Sequence, residues 1–431
     1  MTKFIVIGGG TATGTGKTFF TASLSYILST FGLNVTIIKF DGILNLNFST
    51  LISSKLKKKE LIWEGEEIFV TNNNELVDSD IGVYERFLDK NFTKNSSITN
   101  GECYQELINK QLQGNFVKGE IITVNSHLIP IYIEKIVKAS RGCDVCLIEV
   151  GGTLGDNDSI FFIKALAILR EKYVEKLIFI HYNYLPMKSK SDILVEDEPF
   201  LLKIVKQSYE KAVNSPLKPD LLAIRCDEPF LKKHKERILK DVFLMDKQLI
   251  IVPTVKDIYE LPTKLMEREE YKIIFSRLGL SITNRKEGHL EKYCLLPVDS
   301  EANVLIFGQT ESSGSFISLK EGVKHALRHL GKDAIITWPK ENESVNIDPR
   351  RYDYLIITRG IKEVYKKKNA LLNGDIPTLI IGDVFEKRLN TSRCFIIQSN
   401  LEYKSRPMKP SLLDFFSLKW KKDKSYQGKK A

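Results

Sequence analysis

The chain has 431 residues, 43% of them hydrophobic, and a net charge of +10 from 64 Lys and Arg against 54 Asp and Glu. That length suits two domains at roughly 150 residues each, and the hydrophobic content is ample for buried cores. The charge surplus is modest and gathers partly in the tail from Lys419 to Lys430, no basic stripe interleaves with aromatics, and no apolar run reaches the roughly 18 residues of a membrane span, which argues against nucleic-acid and membrane partners.

The first predicted strand is Phe4–Ile7, followed by a glycine-rich stretch and a helical pattern from Phe19 to Leu28. Strands are then expected at Val35–Ile38, Val145–Val150, Leu177–His181, Leu221–Ile224 and Leu249–Val252, with helical stretches between them. That alternation predicts a doubly wound α/β fold, a parallel sheet with helices on both faces and a ligand at the carboxyl ends of its strands. Between Ser281 and Asn303 the rhythm breaks, and Asn284 to Gly288 reads as linker. A second, smaller α/β unit starts at Val304–Gly308 and continues through a helix at Ser318–Leu330 and strands at Ala334–Trp338, Tyr354–Ile357, Thr378–Ile381 and Cys394–Gln398. The expected division is 1–281, a linker at 282–302, a second domain at 303–418 and a basic disordered tail at 419–431. The six cysteines are scattered, and Cys143 and Cys146 lack a second pair to complete a zinc site. They read as buried thiols in a reducing cytoplasm, in keeping with a strand-like N-terminus that lacks a secretory signal.

The chemistry concentrates in Gly10-Thr11-Ala12-Thr13-Gly14-Thr15-Gly16-Lys17-Thr18. Strand, glycine-rich loop, Lys-Thr and helix is the arrangement in which backbone N–H groups and a helix N-terminus cradle the phosphates of ATP. Lys17 would reach the outer phosphates and the Thr18 hydroxyl would bind Mg²⁺. The strict pattern wants glycine at position 11, where Thr11 stands; the longer loop, starting at Gly10, resembles dethiobiotin synthetase and its relatives, which phosphorylate oxygen with ATP. Lys39 ends the second strand, where it would stabilise a phosphoryl group in transfer; a solvated strand-end lysine is the alternative. Glu149 ends the very apolar strand Val145–Val150, and a carboxylate there needs a cation. Asp80, in a turn before a helix, joins Thr18 and Glu149 as an expected Mg²⁺ ligand, with helix capping as its alternative role.

The first domain resembles the amidoligase domain of CTP synthase. The matching segments are Leu33–Asp41, Gly65–Thr71, Asp80–Phe87, Ile148–Asp156, Lys218–Leu222 and Asp257–Pro262, in consistent order over roughly the first 280 residues. The resemblance implies that ATP phosphorylates the 4-oxygen of a uracil ring, ammonia attacks C4 and phosphate leaves. It also implies that Lys17 and Lys39 handle the phosphoryl group while Asp80 and Glu149 hold Mg²⁺. On the acceptor side the match weakens. The family's Lys-Thr-Lys-Pro-Thr-Gln segment corresponds to Glu196-Asp197-Glu198-Pro199-Phe200-Leu201, so two cations have become anions that repel a triphosphate. Thr123 stands where the family has Gln, and Leu112–Gly119 keeps only parts of another family segment. Two readings stay open: a changed acceptor, or UTP held by Lys188 and Lys190 shifted into the vacated role.

The second domain resembles the class I glutamine amidotransferase domain of the same family, a flavodoxin-like α/β fold. Gly382 occupies the place of the nucleophilic cysteine, Asn400-Leu401-Glu402 replaces His-Pro-Glu, and the oxyanion segment is reduced to Thr358-Arg359-Gly360. Without nucleophile and base no acyl-enzyme forms, so the expected nitrogen donor is free ammonia or another amine. The resemblance further implies a homo-tetramer. A non-catalytic paralogue that co-assembles with a CTP synthase, and a dethiobiotin-type kinase or carboxylate ligase, are the alternative readings.

Overall fold

The computed structural model describes residues 2–10, 14–46, 68–73, 75–154, 157–185, 198–227, 232–281, 285–307, 314–339, 348, 351–357, 376–381 and 394–397. The chain divides into two compact units, the first running to Glu291 and the second continuing from Lys292. In the first unit, β1 (Lys3–Gly8), α1 (Lys17–Thr30) and β2 (Val35–Asp41) are followed by a short hairpin of β3 (Ile68–Val70) and β4 (Leu76–Asp78). Then come α2 (Asp80–Leu88), β5 (Ser97–Thr99), α3 (Asn100–Leu112), α4 (Ile129–Ala139), β6 (Val145–Val150) and α5 (Ile160–Lys172). The series goes on with β7 (Leu177–Leu185), α6 (Glu198–Val213), β8 (Leu221–Cys226), α7 (Lys232–Asp241), β9 (Leu249–Pro253), α8 (Leu261–Arg268) and α9 (Lys272–Arg277).

Seven strands form one parallel sheet in the order β5-β2-β6-β1-β7-β8-β9. The central strands are buried along their length, as continuous apolar runs such as Phe4-Ile5-Val6-Ile7 and Val145-Cys146-Leu147-Ile148 require of a sheet covered on both faces. Because β6 lies between β1 and β2, Glu149 pairs with Ile7 on one side and Lys39 on the other. Two groups 110 residues apart in sequence thus become neighbours at the carboxyl edge.

On one face Phe40 stacks on Phe162 with ring centroids 3.7 Å apart, and Tyr132 meets both edge-on. Phe162 is fully buried in the cluster that fastens α4 and α5 to the sheet. Phe162→Ala is expected to cost about 3–5 kcal/mol, read as a lowered urea midpoint with unchanged m value. Among the described residues no helix is long and apolar enough to cross a membrane. Cys103, Cys146 and Cys226 are buried and Cys143 is half-buried, and none of them is in a disulfide.

Within the expected linker, residues 285–302 are more structured than a linker, whereas 282–284 lie outside the described residues. Lys286 donates its amide to the Thr30 carbonyl at 2.9 Å, and the Glu291 carboxylate accepts from the Gly288 amide at 2.8 Å and from the Tyr26 hydroxyl and is ion-paired with Arg285. A Cβ at Gly288 would collide with the Tyr26 hydroxyl, so glycine is required there. Arg285, Lys286 and Glu287 are exposed, as their composition suggests, but the backbone of Lys286 and the carboxylate of Glu291 are tied to α1. Helix α10 (His289–Cys294) lies within the expected linker, and β10 (Ser300–Phe307) begins before residue 303.

The second unit contains β10, α11 (Gly314–Arg328), β11 (Lys332–Thr337), β12 (Tyr354–Ile357), β13 (Thr378–Ile381) and β14 (Cys394–Ile397). Its parallel sheet has the order β11-β10-β12-β13-β14. That is the flavodoxin-like order. Val304, Ile306, Val323, Leu327 and Ile356 form its core.

Candidate functional site

The glycine-rich loop leaves β1 at the centre of the first sheet. Gly9 and Gly16 both have positive φ, at 118° and 93°. A Cβ on Gly9 would lie 2.4 Å from the His181 ring, and one on Gly16 would lie 2.8 Å from the Arg225 guanidinium, so neither position accepts a side chain. Gly16 is the N-cap of α1 and supplies no side-chain hydrogen bond, which leaves first-turn amides open to an anion. The carbonyl of Thr15 is held from below by the Tyr182 hydroxyl at 3.1 Å and by Arg225 Nη1 at 3.0 Å. Gly10 and Gly14 are in place on the loop, whereas Thr11 and Thr13 lie outside the described residues.

Lys17 donates to the carbonyls of Val150 at 2.6 Å and Gly152 at 2.9 Å. Burial pushes its ammonium down to about 8, against the opposing pull of Glu149. The next residue, Thr18, turns its hydroxyl to Asp80 Oδ2 and Glu149 Oε1, both at 3.0 Å. Lys39 Nζ bridges the same two oxygens, donating to Glu149 Oε1 at 2.9 Å and to Asp80 Oδ2. Glu149 is wholly buried, and its second oxygen accepts the Tyr84 hydroxyl at 2.7 Å.

The charges in this cluster sustain one another. Burial alone would lower Lys39, but Asp80 and Glu149 raise it well above its ordinary value. Burial works equally against Glu149, and Lys39, Lys17 and the Tyr84 hydroxyl hold it below the usual carboxylate range. Asp80 is pushed up to about 6 by burial, with Lys39 opposing and Asp78 adding to the rise. Burial and then the Asp41 carboxylate drive Asp78 well above its ordinary value, and Asp78 Oδ1 also accepts the Asp80 amide at 2.6 Å.

Among the described residues no group of three or more His, Cys, Asp and Glu is placed to hold a metal. Two carboxylate oxygens nonetheless converge on the Lys39 ammonium, with the Thr18 hydroxyl against both of them, and hard oxygen donors of this kind, completed by phosphate oxygens and water, suit Mg²⁺. The structure therefore brings together Lys17, Thr18, Lys39, Asp80 and Glu149. Tyr84, Tyr182, Arg225, Asp41 and Asp78 are members that sequence reasoning missed. Arg225 had a signal, since it is a cation near the carboxyl end of an apolar strand, as Lys39 is.

The acceptor-side expectations fare differently. Thr123 is exposed, and its hydroxyl accepts the Ser126 amide at 3.3 Å. Glu198 opens α6. Lys188, Lys190 and Glu196 lie outside the described residues, as do Gly382, Asn400 and Glu402 of the second domain.

The family model described as CTP synthase N-terminus matches residues 3–280. CTP synthase of Methanothermobacter thermautotrophicus is 31% identical over 374 residues, covering 84% of this chain and 67% of that protein. CTP synthase of Dehalococcoides mccartyi is 29% identical over 359 residues, covering 82% of this chain and 63% of that protein. The chain thus spans about two thirds of the length of these relatives. Among solved structures, a ParA family ATPase from Chlorobium tepidum has a TM-score of 0.29 at 13% identity, covering 65% of this chain and 97% of that one.

Proposed function

Because the chain belongs to the CTP synthase family, we propose that its first unit is an ATP- and Mg²⁺-dependent amidoligase that replaces an oxo group of UTP or a related acceptor with ammonia. The observation that carries this reading is the convergence of Thr18, Lys39, Asp80 and Glu149 beside the open N-terminus of α1. The loop and the first-turn amides of α1 bind the phosphates. Lys17 exchanges its carbonyl partners for phosphate oxygens. Thr18, Asp80 and Glu149 would hold Mg²⁺, which when bound offsets the negative charge of the phosphates. Lys39 places its ammonium where charge builds on the phosphoryl group as the acceptor oxygen attacks it. Tyr84 and the sheet keep Glu149 fixed throughout.

Ammonia then displaces phosphate at the activated carbon. The replacement of cysteine and histidine by Gly382 and Asn400 supports a free amine rather than glutamine as nitrogen source. The resemblance supports assembly into a homo-tetramer, and the lost glutaminase residues and altered acceptor segment support co-assembly with a CTP synthase. A non-catalytic paralogue is the second reading, favoured by the acidic Glu196 and Glu198 in the acceptor segment.

Purified protein with ATP, Mg²⁺, UTP and ammonium is expected to release ADP and CTP, and glutamine is expected not to replace ammonium. ADP without CTP, with another oxo-compound present, identifies a changed acceptor. Failure to bind Mg·ATP at millimolar concentration, or glutamine hydrolysis by the pure protein, overturns the reading.

A further inference from the structure

Strand β7 carries two polar side chains that the phosphate site leaves unused. Residues 179, 181 and 183 lie on one face of the strand by alternation. Phe179 is apolar and fully buried, so the inner part of this face is ordinary core. His181 is also fully buried; its Nε2 contacts Ser208 Oγ at 2.9 Å, while Nδ1, beside Gly9, has no hydrogen-bond partner. Asn183 is 1% exposed, and neither its Nδ2 nor its Oδ1 is hydrogen-bonded.

Leaving buried donors and acceptors unpaired is costly, and native interiors avoid it. Here the unpaired groups run from the middle of β7 towards its carboxyl end, in the interior of the sheet. β7 adjoins β1, with Gly8 opposite His181, so these groups lie at the root of the glycine-rich loop. They also immediately precede the stretch in which the acceptor residues Lys188, Lys190 and Glu196 are expected.

Chemistry narrows the partner. The Asn183 carboxamide needs an acceptor for Nδ2 and a donor for Oδ1. A phosphate offers acceptors alone, and ammonium or a metal ion satisfies the oxygen alone. A ring lactam presents a carbonyl and an N–H side by side and meets both needs at once. Tyr182 and Tyr184 do not compete for the same ligand. Tyr182 is committed to Thr15 and Phe20, and Tyr184 to Asp227 and Arg225.

We infer that Asn183 is a specificity residue of the acceptor site, reading the lactam edge of an oxo-heterocycle with its carboxamide while His181 completes the polar floor beside it. The inference rests on the proposed amidoligase reading for the identity of the site, but it is tested by binding and does not require turnover.

The test is calorimetric titration of the full chain with UTP and with UTP methylated at N3, in the presence of Mg²⁺ and a non-hydrolysable ATP analogue. Methylation removes the N–H that Asn183 Oδ1 would accept. Wild type is expected to bind the methylated compound at least tenfold more weakly than UTP. Asn183→Leu is expected to weaken UTP at least tenfold, to erase the difference between the two compounds and to leave affinity for the ATP analogue unchanged. Its melting temperature without ligand is expected to be no lower than wild type, because an unpaired amide has been replaced by an apolar group of similar size. Asn183→Asp, which keeps the oxygen and loses the donor, serves as a second variant. Equal binding of the two compounds by wild type, no binding of UTP at all, or wild-type affinity for UTP in Asn183→Leu overturns the inference. Absence of ADP release by a wild type that still discriminates the two compounds sinks the amidoligase reading alone.

Discussion

Lys39→Met is expected to destabilise the first unit by about 3–5 kcal/mol and to cut ammonium-dependent ADP release by about 10²–10³-fold. The stability loss follows from what remains. Glu149 is wholly buried and would keep the Tyr84 hydroxyl and Thr18, but lose its nearest cation, and Asp80 would face it across a gap of like charge. Removing one partner of a buried ion pair costs more than the pair contributes, because the other charge stays desolvated. The activity loss is separate, since Lys39 is the group proposed to meet the phosphoryl charge. Urea unfolding without and with millimolar Mg²⁺ tells the two apart. If Thr18, Asp80 and Glu149 form a metal site, Mg²⁺ should restore more stability to Lys39→Met than it gives wild type, by binding the folded state alone. A variant as stable as wild type would show that the Lys39 ion pairs contribute nothing net to the fold.

The parts of this site that were legible in the sequence carried one of two signals. Lys39 and Glu149 are charges near the carboxyl ends of buried, largely apolar strands, and such a charge must find a partner within the fold. Lys17 and Thr18 were legible from the spacing of glycines before a helix. The partnership itself was not, because the order β2-β6-β1 is non-sequential and no local pattern tells which strand will lie between two others. Tyr84 and Tyr182 sit at interior positions of a helix and a strand, where an aromatic residue reads as core. In the structure their rings do pack in the core, and only their hydroxyls reach Glu149 and Thr15. Asn183 sits at the end of a strand rich in tyrosine and isoleucine and offered no spacing signal. The stretch 285–291 is a different case: its polar residues at 285–287 are exposed as composition suggests, and what ties it to α1 is the Lys286 amide and the Glu291 carboxylate, which no composition reveals.

Lys17 ties the proposed activity to pH in a window well below that of an ordinary lysine. In the free protein its ammonium is held down to about 8 by burial, from an ordinary value of 10.5. Phosphate oxygens beside it favour the charged form, so its value in the complex rises and ATP binding takes up a proton within that window. Affinity for Mg·ATP is therefore expected to be full below about pH 8 and to fall by up to tenfold per pH unit above it, as the free protein loses the proton that the complex retains. Titrations in buffers of different ionisation enthalpy should show proton uptake near pH 9 and little at pH 7. Lys17→Met is expected to weaken Mg·ATP at pH 7 and to reduce ADP release by about 10²–10³-fold, as loss of a single transition-state donor does elsewhere. It should also flatten the dependence on pH between 7 and 9, since the titrating group is gone. A variant with the wild-type slope would assign that titration to another residue, and one with wild-type affinity for Mg·ATP would remove Lys17 from the phosphate site.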